Sequence, residues 1–356
     1  MIIINVEIFL IMENKGKLFT EIKQLPKIEL HAHLNGSIRK STLMELLSEE
    51  DKERIQKLYS VMDFNTAMEF FKITSKVTST IEIVKRITRE MIEDWNKHNT
   101  IYLEIRTSLK ETKNYNKKEY LIAILEEIDI CNHNTNTITR LIISLDRTKS
   151  IKEYEEVLSI YRTIKNTTLK NLIVGIDYSG NEVKEKHKYE DIIPIFKQFK
   201  EEGLKITIHM GEFTNYQQFP FDSFLPDRIS HAHFFSNEDY LSFMKRKIPI
   251  EICPTSSLKS TYSKNYKEIP FSKIYNKKIL MSNGSEYTYD LVSINTDDTM
   301  LLLTDISQEY FEISSNYTLE MNQLKELILK GIDSIFEKDE SVKKRLKEIV
   351  NEFKIN

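Results

Sequence analysis

Residues 28–33, Ile28-Glu29-Leu30-His31-Ala32-His33, form a short apolar run ending in two histidines one residue apart. Read as a strand, the run points His31 and His33 to the same face. Comparable runs recur at Tyr102–Thr107, Arg140–Asp146, Leu172–Tyr178, Lys205–His209, Asp227–His231, Pro249–Cys253 and Leu291–Asn295. Most are near-continuous in apolar residues, as parallel strands buried on both faces are. Between them, in segments such as Lys117–Ile130 and Ile151–Ile164, Ile, Leu and Tyr recur at three and four residues among Lys and Glu, which is helical periodicity. Eight alternating units predict an α/β fold, a (β/α)8 TIM barrel, with its chemistry at the C-terminal ends of the strands.

Two regions exceed the minimal barrel. A helical insertion over about Lys40–Asn99 follows the first strand, placed to cover the barrel mouth, and Asp305–Asn356 reads as two or three extra C-terminal helices. Ser256–Tyr289, with Asn283-Gly284-Ser285, is long for one element and its loop and is expected to hold a surface excursion. Residues 21–356 are expected to form one domain. Residues 1–20 are set apart as an N-terminal tail, disordered or preceding a true start at Met12.

With 40% hydrophobic and 29% charged residues, the 356-residue chain has material for a large core. Its 51 basic and 54 acidic residues leave a net charge of -3, which excludes the field of a dedicated nucleic-acid or anionic-membrane binder and favours a small-molecule partner. Cys131 and Cys253 are too few for a disulfide framework or a cysteine zinc site. Met1–Ile11 is apolar, but Asn5 and Glu7 interrupt it, no basic residue precedes it and no small-residue cleavage site follows. No run approaches the ~18 apolar residues of a membrane span. A cytoplasmic monomer is expected.

Four of the eight histidines, His31, His33, His209 and His231, fall at strand ends. Adjacent Asp297 and Asp298 at the end of the eighth strand would repel each other unless a cation or donor neutralises one. His31, His33, His209 and Asp297 together offer three nitrogens and one oxygen, a set suited to zinc with a further position left for water. Glu212 follows in His209-Met210-Gly211-Glu212, where glycine lets the backbone turn so that the carboxyl lies beside the metal as a proton shuttle. Taken singly, Glu212 reads as a solvated carboxylate and His231 as a satisfied core histidine; the constellation reverses both. His98, His133 and His187 read as surface residues, while His233 can share the face of His231.

LPKIELHAHLNGSI (25–38), HMGE (209–212), DRISHAHFF (227–235) and INTDD (294–298) resemble, in order and at the right strands, the motifs of the adenosine deaminase family of metal-dependent amidohydrolases. YLEIRTSLK (102–110), RLIISLDR (140–147), VGIDYSGNE (174–182) and IEICPTSS (250–257) are similar to its adenosine deaminase-like branch, the N6-methyl-AMP deaminases. Ser230 and Ala232, flanking His231, and Pro254 depart from the pattern.

The resemblance implies one zinc ion on His31, His33, His209 and Asp297, strand four carrying no lysine to bridge a second metal. It implies Glu212 as proton donor to purine N1, His231 as the group that orients and deprotonates water, Asp298 as partner of N7, and the Gly180 N–H as partner of N3. The expected reaction is N6-methyl-AMP to IMP and methylamine, with adenosine to inosine and ammonia as the alternative. A non-catalytic purine-binding protein would be free to lose these residues, and none is lost. The family's nucleoside deaminases carry aspartate where this chain has Asn35; a neutral side chain there admits a 5′-monophosphate that a carboxylate would repel. Thr107, Ser108 and Lys110 are candidate phosphate donors. The absence of C-x-x-C excludes the cytidine-deaminase type.

Overall fold

The computed structural model describes residues 15–60, 64–259 and 263–355. All eight expected strands are present: β1 (Lys27–His33), β2 (Thr100–Thr107), β3 (Ile138–Asp146), β4 (Ile173–Ser179), β5 (Lys205–Met210), β6 (Arg228–His231), β7 (Ile250–Ile252) and, after a hairpin of β8 (Lys277–Leu280) and β9 (Glu286–Tyr289), β10 (Val292–Ile294). They run parallel in the order β1-β2-β3-β4-β5-β6-β7-β10. The last meets the first through Asp297 N, which donates to His31 O at 2.8 Å, and His33 N, which donates to Asp297 O at 3.1 Å. This is the expected (β/α)8 barrel.

Helix α1 covers residues 15–24, so residues 15–20 of the segment set apart as a tail are helical, while residues 1–14, with the apolar Met1–Ile11 stretch, lie outside the described residues. The insertion after β1 is four helices, α2 (Lys40–Leu46), α3 (Glu49–Ser60), α4 (Phe64–Val77) and α5 (Ile81–Lys97). Helix α4 packs on the turn Leu34–Gly36 that follows His33, and Tyr59 of α3 donates to Met300 O at 3.1 Å. The insertion therefore rests on the rim where β1 and β10 end.

Outside the barrel follow α6 (Lys117–Asn134), α7 (Ile151–Ile164), α8 (Tyr189–Glu201), α9 (Asn237–Lys245), α10 (Pro254–Lys259), α11 (Phe271–Ile274) and α12 (Thr299–Leu302). Side-chain oxygens of Asn116, Ser150 and Ser236 cap α6, α7 and α9 in reciprocal capping boxes, which is why these helices start where they do. The expected excursion at Ser256–Tyr289 contains the antiparallel β8–β9 hairpin, its loop closed by Met281 N donating to Ser285 O at 2.8 Å. The C-terminal block is three helices, α13 (Ile306–Tyr317), α14 (Met321–Ile332) and α15 (Glu340–Glu352). Among the described residues, no helix is long and apolar enough to cross a membrane.

The barrel interior corrects one expectation. The strands are buried on both faces, but the inward side chains are largely ionic. Arg106 of β2 crosses the interior to Leu30 O on β1, Asp177 on β4, Ser230 on β6 and Glu251 on β7. Arg228 of β6 donates to Glu104 of β2 and to Glu251, the latter at 2.6 Å. The segment after α14 seals the N-terminal end of the barrel: Arg228 Nη1 donates to Ser334 O at 2.8 Å, Phe336 N donates to Glu104 at 2.7 Å, and the Phe336 ring lies 3.5 Å from the Arg228 guanidinium. A Cβ on Gly175 would fall 2.6 Å from that ring, so only glycine fits beside the plug.

Removing one partner of such a buried pair strands the others, so Arg228→Met should lower the unfolding free energy by about 3–5 kcal/mol. Urea titration reads this, and a loss under about 1 kcal/mol, the scale of an exposed pair, would reject the account.

Candidate metal and catalytic site

β1 brings His31 and His33 to one side, as their spacing requires. His31 Nε2 and His33 Nε2 are 3.2 Å apart, and His33 Nε2 is 3.3 Å from His209 Nε2 at the end of β5. Asp297 Oδ1 lies 3.5 Å from both His31 Nε2 and His33 Nε2. The donor atoms of His31, His33 and Asp297 fall within 4.8 Å of one another, and so do those of His31, His209 and His231. Imidazole lone pairs and a carboxylate at this spacing repel one another, and a divalent cation among them reverses the sign. The set fits a metal ion.

The ring nitrogens facing away are held by carboxylates. Glu251 Oε2 sits 2.9 Å from His31 Nδ1, and Asp177 Oδ1 sits 2.8 Å from His209 Nδ1. Both carboxyls stay ionised: burial alone would raise them, but Arg106 with Arg228 at Glu251, and His209 with Arg106 at Asp177, more than reverse it. An ionised carboxylate only accepts, so each Nδ1 carries the proton and each Nε2 keeps its lone pair for a metal. Glu29 ties β1 to Thr296, the residue before Asp297, accepting from His31 N at 2.9 Å through one oxygen and from Thr296 Oγ1 at 2.7 Å through the other. Sequence reasoning assigned no role to Glu29, Arg106, Asp177 or Glu251. Asp177 and Glu251 lie within motifs noted above, and a charge inside an apolar strand was the available signal.

His231 is buried, its ring 5.0 Å from that of His31 and 4.9 Å from that of His209, and its Nε2 has no hydrogen-bond partner among the described residues. Burial keeps it uncharged. The left-handed backbone here falls on His231 (φ 66°), Ala232 (φ 52°) and Asp297 (φ 65°), none of them glycine. Each costs on the order of 1–3 kcal/mol, a strain that clusters at functional sites. Cys253 Sγ also lies within 4.8 Å of donor atoms of His231 and Asp297, but desolvation pushes its thiol well up and keeps it protonated.

Glu212 follows Gly211, whose φ of +62° makes the turn expected of it. Desolvation, then the charge of Asp297, pushes the Glu212 carboxyl up to about 8. Asp298 is raised well above the carboxylate range by burial and by Asp297 and Glu212, and its Oδ1 is buried with no hydrogen-bond partner among the described residues. Gly36 makes room for it, since a Cβ there would fall 1.6 Å from Asp298 Oδ1. Gly180 ends β4 at φ +98°.

Asn35 Nδ2 donates to Thr107 Oγ1 at 3.1 Å, and Lys110 Nζ donates to Asn35 Oδ1 at 2.8 Å. Ser108 joins this group through its carbonyl, which accepts from Thr107 Oγ1 at 3.3 Å, and it lines, with Lys110 and Tyr115, an adjoining cavity of about 450 Å³. Of the histidines read as surface residues, His133 is exposed, His187 is half-buried, and His98 is half-buried with its Nδ1 2.8 Å from Ser307 Oγ. The Ser307 side chain is what draws His98 in.

Gly36→Ala forces Asp298 out of its place. Overpacking so tight a contact should lower the unfolding free energy by about 1–3 kcal/mol; an unchanged denaturation midpoint would mean that the Asp298 side chain leaves freely.

The sequence profile described as adenosine deaminase matches residues 26–353. The N6-mAMP deaminase of Arabidopsis thaliana is 32% identical over 92% of this chain and 96% of its own length. Arabidopsis ADAL complexed with GMP superposes with a TM-score of 0.81 at 30% identity, covering 93% of this chain and 97% of that one. Arabidopsis ADAL complexed with IMP gives a TM-score of 0.79, again at 30% identity, over 93% and 97% of the two chains. With its barrel, its histidine-aspartate cluster and this end-to-end likeness, the chain belongs to the adenosine deaminase family of metal-dependent amidohydrolases.

Proposed function

We propose that this protein is a zinc-dependent aminohydrolase of purine C6 that converts N6-methyl-AMP, or a related N6-substituted AMP, to IMP and methylamine. His31, His33, His209 and Asp297 would hold one zinc ion. When bound, zinc supplies Lewis acidity that makes water nucleophilic near neutral pH.

The side chains account for the protons. When the oxygen of water adds to C6, the C6–N1 double bond breaks and its electron pair moves to N1. Glu212, still protonated at neutral pH because desolvation pushes it up to about 8, gives N1 its proton. His231, uncharged and with a free Nε2, takes the proton of water. That proton goes to the departing nitrogen, which leaves as the amine; as C6 becomes a carbonyl, its hydroxyl gives the second proton of water back to Glu212. Purine N7 and N3 are acceptors and call for donors: Asp298, kept protonated by burial beside Asp297 and Glu212, donates to N7, and the Gly180 N–H donates to N3.

Lys110 carries the choice of a nucleotide over a nucleoside. It is half-buried, desolvation pushes it down to about 8, and among the described residues no carboxylate pairs with it; its partner is the neutral Asn35. A cation held this way beside the Thr107 hydroxyl suits a 5′-phosphate, with Ser108 as a further donor. Aspartate at position 35 would neutralise Lys110 and repel the phosphate. The likeness to the Arabidopsis N6-mAMP deaminase and to ADAL in complex with IMP supports the same substrate.

Chelation should abolish turnover of N6-methyl-AMP and added zinc restore it. Glu212→Gln should retain the metal yet lower kcat by about 10²–10⁴, the usual contribution of a positioned acid. As the acid must be protonated to act, wild-type kcat/KM should fall as pH rises through about 8. Unchanged turnover in Glu212→Gln would remove this residue from the mechanism.

Lys110→Met should raise KM for the 5′-monophosphate roughly ten- to hundredfold, the worth of a charged hydrogen bond of about 1.5–3 kcal/mol, and leave turnover of the nucleoside unchanged. Steady-state kinetics on N6-methyl-AMP and N6-methyladenosine reads both. Equal use of the two by the wild-type protein would favour a nucleoside deaminase.

A further inference from the structure

Glu182 closes the VGIDYSGNE stretch and has no part in the chemistry above. Asn181 fixes its place: the side-chain oxygen accepts from Val183 N at 3.0 Å and Lys184 N at 3.3 Å, winding Glu182–Lys184 into one 3-10 turn. The Glu182 side chain, in a residue only 6% exposed, is thereby laid along the loop after β5. Its Oε1 accepts from Gly211 N and its Oε2 from Phe213 N, each at 3.0 Å. Those two N–H groups belong to the residues immediately before and after Glu212.

Arg147, fully buried just past β3, lies 3.5 Å from Glu182 Oε1. Its Nη2 donates to His209 O at 2.6 Å and to Tyr178 O at 3.3 Å. One ion pair therefore grips the 209–213 segment through both kinds of backbone group, the guanidinium on the carbonyl of His209 and the carboxylate on the two N–H groups that straddle Glu212. An ionised carboxylate can accept at both oxygens, whereas an amide would set a donor against one of the N–H groups. A buried charge is also a poor choice for packing alone, because its desolvation is costly unless specific partners offset it.

We propose that Glu182, braced by Arg147, is a positioning residue that aims the Glu212 carboxyl at purine N1. The proposal rests on Glu212 being the proton donor of the reading above. If it is, loosening the clamp misplaces the acid without unseating the metal or the nucleotide, and a displacement near 1 Å is enough to cost about a hundredfold in rate.

A double-mutant cycle on the zinc-loaded enzyme with Glu182→Gln and Glu212→Gln tests this. Glu182→Gln alone should lower kcat by roughly ten- to a hundredfold, with KM and metal stoichiometry little changed. In the Glu212→Gln background the same change should cost nothing further, because the group being aimed has gone. An equal loss in both backgrounds would overturn the proposal and leave Glu182 as a general brace of the loop. Wild-type turnover in Glu212→Gln alone would instead overturn the assignment of the acid, and the proposal with it. Should Glu182→Gln fail to fold, Glu182→Asp, which keeps the charge and shortens the reach, enters the same cycle with the same two outcomes.

Discussion

Two backbone hydrogen bonds close this barrel, from Asp297 N to His31 O and from His33 N to Asp297 O. The residues that complete the ring are the ones that present His31, His33 and Asp297 to a common point. Closing a sheet is cooperative, since the final strand pair forms only when tilt and register of all the others agree. The distance between the H-x-H pair and the carboxylate is thus set by the whole barrel, and the left-handed backbone at Asp297 is held against its cost by the same closure.

Beneath that ring the interior is an ionic lattice. Glu251 joins His31 to Arg106, Arg228 and Ser230, while Asp177 joins His209 to Arg106 and Ser144. Glu104, Asp177 and Glu251 each meet at least one guanidinium or imidazole, which is the condition for burying such charges. Ser230, where the family pattern has glycine, donates to Glu251 Oε2 at 2.5 Å and so belongs to this lattice. The lattice fixes ring tautomers at the ligands, and metal-facing lone pairs follow from charges placed one layer below.

At the mouth the same low dielectric acts on groups that form no ion pair among the described residues. Glu212 and Asp298 are pushed up and Lys110 down by desolvation. The two acids are consequently able to donate at neutral pH, as the proposed contacts to purine nitrogens require, while Lys110 is a desolvated cation whose partner is neutral. Opposite shifts with one cause arrange a site that would otherwise carry adjacent negative charges.

Strands, helical insertion and the histidine-aspartate cluster were legible in the chain because each leaves a local trace: an apolar run of strand length, an i, i+2 histidine pair, a doubled aspartate. The β8–β9 hairpin was less so, since its loop is five residues long, its strands have four residues each, and the lysine-led β8, KKIL, lacks the alternation that marks a half-buried sheet. Linear order determined which residues are candidates for the chemistry. Tertiary structure alone decided which charges face one another, as Arg106 with Glu251, Glu182 with the peptides around Glu212, and Lys110 with Asn35. A charge inside a strand has the same local spacing whether it faces solvent or a partner across the barrel, and only closure of the ring brings that partner within reach.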